Sequence, residues 1–276
     1  MTIAELLAEA RQALVPREGM LFPQREARSF LAALLGVEEA FVLAHPEHPV
    51  EDAAARRFRE FVTRRAKGEP FHAILGACPF FGRSFLVAPG VLVPRPETEL
   101  LMERVLKLPL PPSPRVLDVG TGSGVLAVTL ACEIPGARVF AGDLSLAAAI
   151  LARRNAAHFG VRVEVTVANL AAPLRGPFHL VVANLPYLPE SFRTRTPPEL
   201  HYEDATALFA GPDGLALLRP LVADLPRLLA PRCFAALELG EGQAAALVSD
   251  LPQALEPHDV VYDLRGVERV LLLRRR

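Results

Sequence analysis

The stretch RVLDVGTGSGVLAVTLA, residues 115–131, decides the fold. A short run rich in β-branched and aliphatic residues, 115–119, ends in Gly120, Gly122 and Gly124 at alternate positions and passes straight into an apolar helical run. Glycines in such a turn let a ligand approach the backbone closely, and the helix that follows presents unpaired N–H groups at its start. Strand, glycine turn and helix in this order open a nucleotide- or adenosine-binding βαβ unit, although a plain tight turn has the same local sequence.

The neighbouring strands narrow that choice. RVFAGD, 138–143, ends in Asp143, about 20 residues past the turn, where a carboxylate at the carboxyl end of a strand can accept both hydroxyls of a ribose. The spacing GxGxG in place of GxGxxG turns the reading from a dinucleotide toward S-adenosylmethionine. A third strand, FHLVVA at 178–183, delivers Asn184, Leu185, Pro186 and Tyr187 to the same edge of the sheet. An Asn before a proline-stiffened turn presents a side-chain carbonyl and the following backbone carbonyls in fixed directions, two acceptors for one planar NH2 group, and Tyr187 adds a ring face. Such a site orients an amide or exocyclic amine toward a sulfonium methyl by placement and desolvation, without a strong base. Taken alone, this segment also fits an ordinary Asn-Pro-type turn.

The rest of the chain fits a globular α/β protein. Of 276 residues 51 % are hydrophobic and 22 % charged, with mean hydropathy +0.27, which excludes a disordered chain. Thirty cations, all arginine except Lys67 and Lys107, balance 31 acids to a net charge of −1, so no global basic field draws a polyanion. The N-terminus MTIAELLAEARQAL is amphipathic and unlike a signal peptide, and no apolar run reaches membrane-spanning length. Cys78, Cys132 and Cys233 are scattered, fitting a reducing cytoplasm, and the seven histidines show no ligand spacing, so no metal is expected.

Residues 1–70 read as helices only. Thr2 and Glu5 make a capping box for a helix ending near Pro16, Pro23 opens a second that Gly36 ends, and further helices are expected near 38–44 and 51–67. The arginines of the last, Arg56, Arg57, Arg64 and Arg65, read as a solvated face or as a docking surface. Residues 71–95 alternate β-rich runs with Gly and Pro and read as a β-hairpin linker. From 96 to 276 helices at 96–107, 123–132, 145–159, 214–229 and 241–251 alternate with strands at 115–119, 137–142, 161–167, 178–183 and 233–239. Two last strands, 258–263 and 267–273, are joined by a tight Arg265-Gly266 turn. The expected fold is α/β, a doubly wound, mostly parallel sheet with an antiparallel final pair.

At this point the chain resembles the release-factor glutamine methyltransferases, class I S-adenosylmethionine enzymes that methylate the glutamine amide of the Gly-Gly-Gln motif in bacterial peptide-chain release factors. The likeness spans the whole length. It rests on LDVGTGSG and NLPY, and on GEPFHAILG at 68–76, VPRPETE at 93–99, EDATALFAGPDGL at 203–215, ELGEGQ at 238–243 and DLRGVERV at 263–270. The resemblance implies a helical substrate-recognition domain at 1–70, the linker at 71–95 and a methyltransferase domain at 96–276. It implies that Gly120, Thr121, Gly122, Ser123 and Gly124 line the methionine part of the cofactor and that Asp143 holds its ribose. Asn169 and Leu170 stand where the family places an Asp and an apolar residue near the adenine. Asn184, also counted on the cofactor side, and the backbone carbonyl of Leu185 receive the substrate amide, with Pro186 fixing the turn and Tyr187 packing over the glutamine.

Two positions depart from the family pattern: Leu185 replaces the first proline of Asn-Pro-Pro-Tyr, and Asn169 replaces the Asp. A backbone carbonyl survives the first change, and Asn169 keeps a carbonyl for adenine N6. Glu97 and Glu99 read as caps of the helix beginning at Pro96 or as residues at the mouth of the site. An adenine N6 DNA methyltransferase uses a similar turn, but the balanced charge argues against direct nucleic-acid binding. The same motifs would also suit a ribosomal-protein glutamine methyltransferase, or a binding module that has lost catalysis. The expected partner is a release factor in translation termination, and the expected location the cytoplasm.

Overall fold

Residues 1–16 and 20–276 are described by a computed structural model, in which the chain forms two compact units. One comprises Met1–Ala77 together with Thr196–Tyr202, the other Cys78–Arg195 with Glu203–Arg276. No helix among the described residues is long and apolar enough to cross a membrane.

In the first unit, helices α1 (Ile3–Ala13), α2 (Pro23–Leu35), α3 (Glu39–Ala44) and α4 (Asp52–Ala66) enclose a core that includes Ile3, Leu6, Phe30, Leu31 and Phe58. The capping box forms as the sequence requires: Glu5 N–H donates to Thr2 Oγ1, and Thr2 N–H donates to Glu5 Oε2. Residues 71–75, read as the start of a hairpin linker, form a helix instead, α5 (Phe71–Leu75). Pro70 sets its entry, and Gly76 closes it in the left-handed conformation at φ 76°, where its N–H donates to the His72 carbonyl. Arg65, read with the exposed arginines, is instead buried at 1 % exposure. It pairs with Glu26 and Glu199, each at 2.5 Å, and donates to the Glu69 carbonyl. The Tyr202 hydroxyl donates to the Lys67 carbonyl, so the segment Thr196–Tyr202 is tied to the end of α4 at two points.

The second unit holds a two-stranded sheet, β1 (Ala77–Phe80) with β2 (Arg83–Leu86), whose first residue closes the other unit. After α6 (Thr98–Val105) come β3 (Arg115–Val119), α7 (Val125–Glu133), β4 (Arg138–Asp143), α8 (Leu146–His158), β5 (Val163–Val167) and β6 (Phe178–Ala183). They are followed by α9 (Leu218–Leu228), β7 (Leu229–Glu238), α10 (Gln243–Ser249), β8 (Leu255–Tyr262) and β9 (Glu268–Arg275). The seven-stranded sheet has the order β5-β4-β3-β6-β7-β9-β8, parallel from β5 to β7, with β9 antiparallel to both β7 and β8. This is the doubly wound α/β architecture expected for a class I methyltransferase.

Alternation along the strands builds two cores. Val116, Leu180, Val182 and Ala236 face α6, α7 and α8, while Leu117, Val119, Val181 and Leu237 face α9 and α10. The chain runs outward from β3 through β4 to β5 and then returns to lay β6 on the other side of β3. The carboxyl ends of β3 and β6 therefore flank the point where the strand order reverses, the place where open α/β sheets bind ligands.

Candidate active site

Sheet register assembles the site. Val119 pairs with Gly142 on one side and with Ala183 on the other, and Ala183 in turn pairs with Leu237. The next residue on each of these four strands is Gly120, Asp143, Asn184 and Glu238, so a single row at the carboxyl edge carries a glycine, two carboxylates and an amide.

The glycine turn is held from beneath. Gly120 N–H and Thr121 N–H both donate to the Gly142 carbonyl, and Gly122 N–H donates to Asp143 Oδ2 at 2.8 Å. Asp118 is fully buried; its Oδ2 accepts from Thr121 Oγ1 at 2.6 Å and from Ala127 N–H at 3.2 Å, tying the turn to the start of α7. Burial pushes the Asp118 carboxyl up to about 7 against these two donors. Gly120, Gly122 and Gly124 all have positive φ. A Cβ at Gly124 would stand 3.0 Å from Ala152 of α8, whereas one at Gly122 would meet nothing within 4 Å. Gly124 is thus required by packing, and Gly122 by its backbone conformation beside open space. Asn155 of α8 supports the turn further, with Nδ2 donating to the Ser123 carbonyl and to the Leu86 carbonyl and Oδ1 accepting from Leu86 N–H.

Asp143 accepts one backbone N–H on each oxygen, from Gly122 on Oδ2 and from Ser145 on Oδ1, both at 2.8 Å, which leaves each oxygen a further lone pair. Asn169 is exposed after β5, and Leu170, with φ 50°, packs at the edge of the core under α9.

An open cleft brings together Gly120, Thr121, Gly122 and Ser123 from the turn, Asn184 from the β6 edge, and Leu92, Pro94, Arg95 and Thr98 from the segment entering α6. Gly124, Asp143, Asn169, Leu170, Leu185, Pro186 and Tyr187 lie outside its lining. In the cleft wall Asn184 Nδ2 donates to Thr98 Oγ1 at 3.0 Å. Arg95 is fixed by Glu203, whose Oε2 accepts from Arg95 Nη2 at 2.7 Å while Oε1 accepts from Val93 N–H.

Behind Asn184 the turn is braced. Leu185 is buried against Gly120. Gln243 Nε2 donates to the carbonyls of Tyr187 and Asp213, at 2.9 and 3.0 Å, and its Oε1 accepts from Gly240 N–H. The Tyr187 hydroxyl donates to Glu238 Oε1 at 3.3 Å. Burial raises the Tyr187 phenol well above its ordinary range, so it stays neutral, and pushes the Glu238 carboxyl up to about 7. Glu97, at the N-cap of α6, makes no side-chain cap, and Glu99 Oε1 accepts from Phe81 N–H, so neither acts as the helix cap that sequence alone allowed.

Thr98, Arg95, Glu238 and Gln243 do not stand out as site residues in the sequence. Their signal lies in VPRPETE and ELGEGQ, polar runs at the ends of α6, β7 and α10 in which Thr98, Glu238 and Gln243 are buried. Among the described residues no group of three or more His, Cys, Asp and Glu side chains is arranged to hold a metal.

Known proteins bear on this geometry. Residues 5–76 match the PrmC N-terminal domain and residues 96–196 the Methyltransferase small domain. Over 277 residues, 100 % of this chain and 99 % of the relative, the sequence is 41 % identical to the release factor glutamine methyltransferase of Deinococcus radiodurans. It is 39 % identical, over 90 % of this chain and 93 % of the relative, to the protein of the same name from Bordetella pertussis. Among solved structures, the T. thermophilus 16S rRNA N2 G1207 methyltransferase in complex with AdoMet and guanosine shares the fold with TM-score 0.53 at 20 % identity, over 72 % of this chain and 50 % of that one.

Proposed function

Because the chain belongs to the release factor glutamine methyltransferase family, we propose that it moves a methyl group from S-adenosylmethionine to the side-chain amide nitrogen of the glutamine in the Gly-Gly-Gln motif of peptide-chain release factors. The observation that carries this reading is the meeting in one cleft of the glycine turn and an Asn184 whose amino end is already engaged by Thr98.

Bound S-adenosylmethionine supplies an electrophilic methyl on a sulfonium. The residues present fit it: open space over Gly122, carboxylate lone pairs on Asp143, and a buried Asp118 Oδ1 with no protein partner. On this reading Asp143 receives the ribose hydroxyls, the turn 120–124 carries the methionine part, and Leu170 with Asn169 borders the adenine.

An amide nitrogen is a weak nucleophile because its lone pair is shared with the carbonyl. Two acceptors on its NH2 group, Asn184 Oδ1 and the Leu185 carbonyl, increase electron density on nitrogen and fix its direction of approach. Pro186 restrains the turn that presents them, and the neutral Tyr187 contributes a ring face, its hydroxyl being turned away toward Glu238. The proton lost from nitrogen leaves to water, since the residues lining the cleft include neither a carboxylate nor an imidazole. We assign recognition of the release factor to the helical unit, which contributes no residue to the cleft. A substrate of this kind places the reaction in the cytoplasm.

The test is mass spectrometry after incubating the full chain and S-adenosylmethionine with an intact release factor, a Gly-Gly-Gln peptide and adenine-containing DNA. A methyl group on the glutamine of the intact factor is expected. Methylated adenine with an unmodified factor would replace this reading with the nucleic-acid one.

A further inference from the structure

The amide of Asn184 has two ends of opposite sense, and rotating it by half a turn exchanges them with almost no change of shape. What it offers a substrate is therefore decided by its neighbours. Thr98 Oγ1 lies 3.0 Å from Nδ2, yet a hydroxyl can either accept from the amino end or donate to the carbonyl end, so Thr98 alone does not orient the side chain. Glu238 resolves the ambiguity. It emerges beside Asn184 because Leu237 pairs with Ala183, it is 1 % exposed, and one of its oxygens takes the Tyr187 hydroxyl. Its other oxygen, Oε2, is buried without a hydrogen-bond partner, and the Thr98 hydroxyl, which meets the neighbouring Asn184, is among the groups that favour the charged carboxylate.

We propose that Thr98 and Glu238 are positioning residues for methyl transfer: ionised Glu238 takes up the Thr98 hydroxyl proton in a hydrogen bond, which leaves Thr98 Oγ1 only as an acceptor for Asn184 Nδ2 and turns Asn184 Oδ1 toward the substrate amide. The proposal rests on the reading of Asn184 as the residue that receives the glutamine.

The relay has a built-in pH dependence. Burial holds the Glu238 carboxyl near 7, with Glu97 from the start of α6 raising it further, and the Tyr187 and Thr98 hydroxyls and Arg269 of β9 lowering it. A protonated Glu238 can donate to Thr98 Oγ1, which frees the Thr98 proton for Asn184 Oδ1 and removes the reason for the amide to face the cleft. Orientation is thus secured above the midpoint and lost below it.

The experiment uses the full chain in two independent readouts. First, the side-chain amide resonances of Asn184 are followed by NMR in the absence of substrate as pH is varied. They are expected to shift with a midpoint near neutrality in the unmodified protein and to lose that transition in Glu238→Gln. Second, methyl transfer to an intact release factor is measured across the same range. Thr98→Val should lower kcat about tenfold or more, with KM for the factor and affinity for S-adenosylmethionine changed by less than about threefold, and Thr98→Ser should restore most of kcat. Glu238→Gln should remove the acid limb of the kcat profile. An Asn184 resonance that does not respond to Glu238, or a Thr98→Val enzyme with unchanged kcat, overturns the relay. A protein that shows the NMR transition but methylates no release factor retains the relay and refutes the assigned substrate instead.

Discussion

Leu185 closes over Gly120: a Cβ built on Gly120 would lie 2.5 Å from Leu185 Cδ2, so the turn at the end of β3 and the turn at the end of β6 share one van der Waals surface. The Asn-Leu-Pro-Tyr motif and the glycine loop are consequently not independent sites. Gly120→Ala should destabilise the protein through the added clash and through φ 74°, the strain alone being about 1 to 2 kcal/mol, and should weaken S-adenosylmethionine binding at least tenfold. Adding Leu185→Ala should return part of the cofactor affinity by relieving the clash. Calorimetric titration of both variants decides this, and equal affinity in the single and double variants would refute the coupling.

The same contact bears on Leu185→Pro, which keeps the backbone carbonyl but shortens the side chain over Gly120. Turnover should remain within about tenfold of the unmodified enzyme, because the acceptor survives and the added rigidity offsets lost packing. Asn184→Ala should instead lower turnover by roughly a hundredfold or more with little change in cofactor affinity, the scale of removing one preorganised contact. Steady-state assays on an intact release factor separate the two variants.

Asp143→Ala removes the acceptor that holds Gly122 N–H as well as the one proposed for the ribose. Affinity for S-adenosylmethionine should fall by about 1 to 3 kcal/mol, measured calorimetrically. Unchanged affinity would show that the ribose is held elsewhere.

Gln243 braces three backbone groups that no strand or helix satisfies. Gln243→Ala should cost about 1 to 3 kcal/mol of stability in chemical denaturation. Gln243→Glu should fail to rescue it, because a carboxylate has no proton for the Tyr187 and Asp213 carbonyls.

Two buried carboxyls set a pH dependence of stability. Asp118 and Glu238, with ordinary values of 3.8 and 4.5, are both raised to about 7, so between roughly pH 4 and 7 the folded protein keeps protons that the unfolded chain has released. Stability therefore falls as pH rises through that window and levels off above it. Glu238→Gln or Asp118→Asn should reduce the difference in unfolding free energy between about pH 5 and pH 8, each by about 1 to 3 kcal/mol. An unaltered difference would mean that these groups are already ionised in the folded state at the lower pH.

Much of this is legible in the sequence because it depends on short-range pattern. Strand ends at Gly120, Asp143 and Asn184 follow from hydrophobic runs stopped by turn residues, and parallel register then carries them to one edge. What is not legible depends on partners distant along the chain. Nothing near Glu238 says that it emerges beside Asn184, nothing near Asn184 says that it meets Thr98, and Arg65 looks solvated until Glu26 and Glu199 are placed around it. Local geometry misleads in two further places. The apolar run 71–75 has strand-like residues, but Pro70 and a left-handed Gly76 fit it to a single helical segment. Strand β7 begins at Leu229, directly from α9, rather than at 233, because Arg232 with φ 63° and an irregular register against β6 obscure its alternation.

The segment Thr196–Tyr202 gives the protein a modularity different from the one its motifs imply. In sequence the helical unit looks like a detachable prefix, ready to be exchanged between relatives by recombination at a single junction. In space it is stitched from two stretches, since Glu199 joins Glu26 as a counter-ion of the buried Arg65 and Tyr202 fastens to Lys67. A prefix transplanted or deleted alone strips the buried Arg65 of one of its two carboxylates and leaves an untethered stretch of chain on the other side of the cut, so an inheritable change of the helical unit has to carry its distant patch with it.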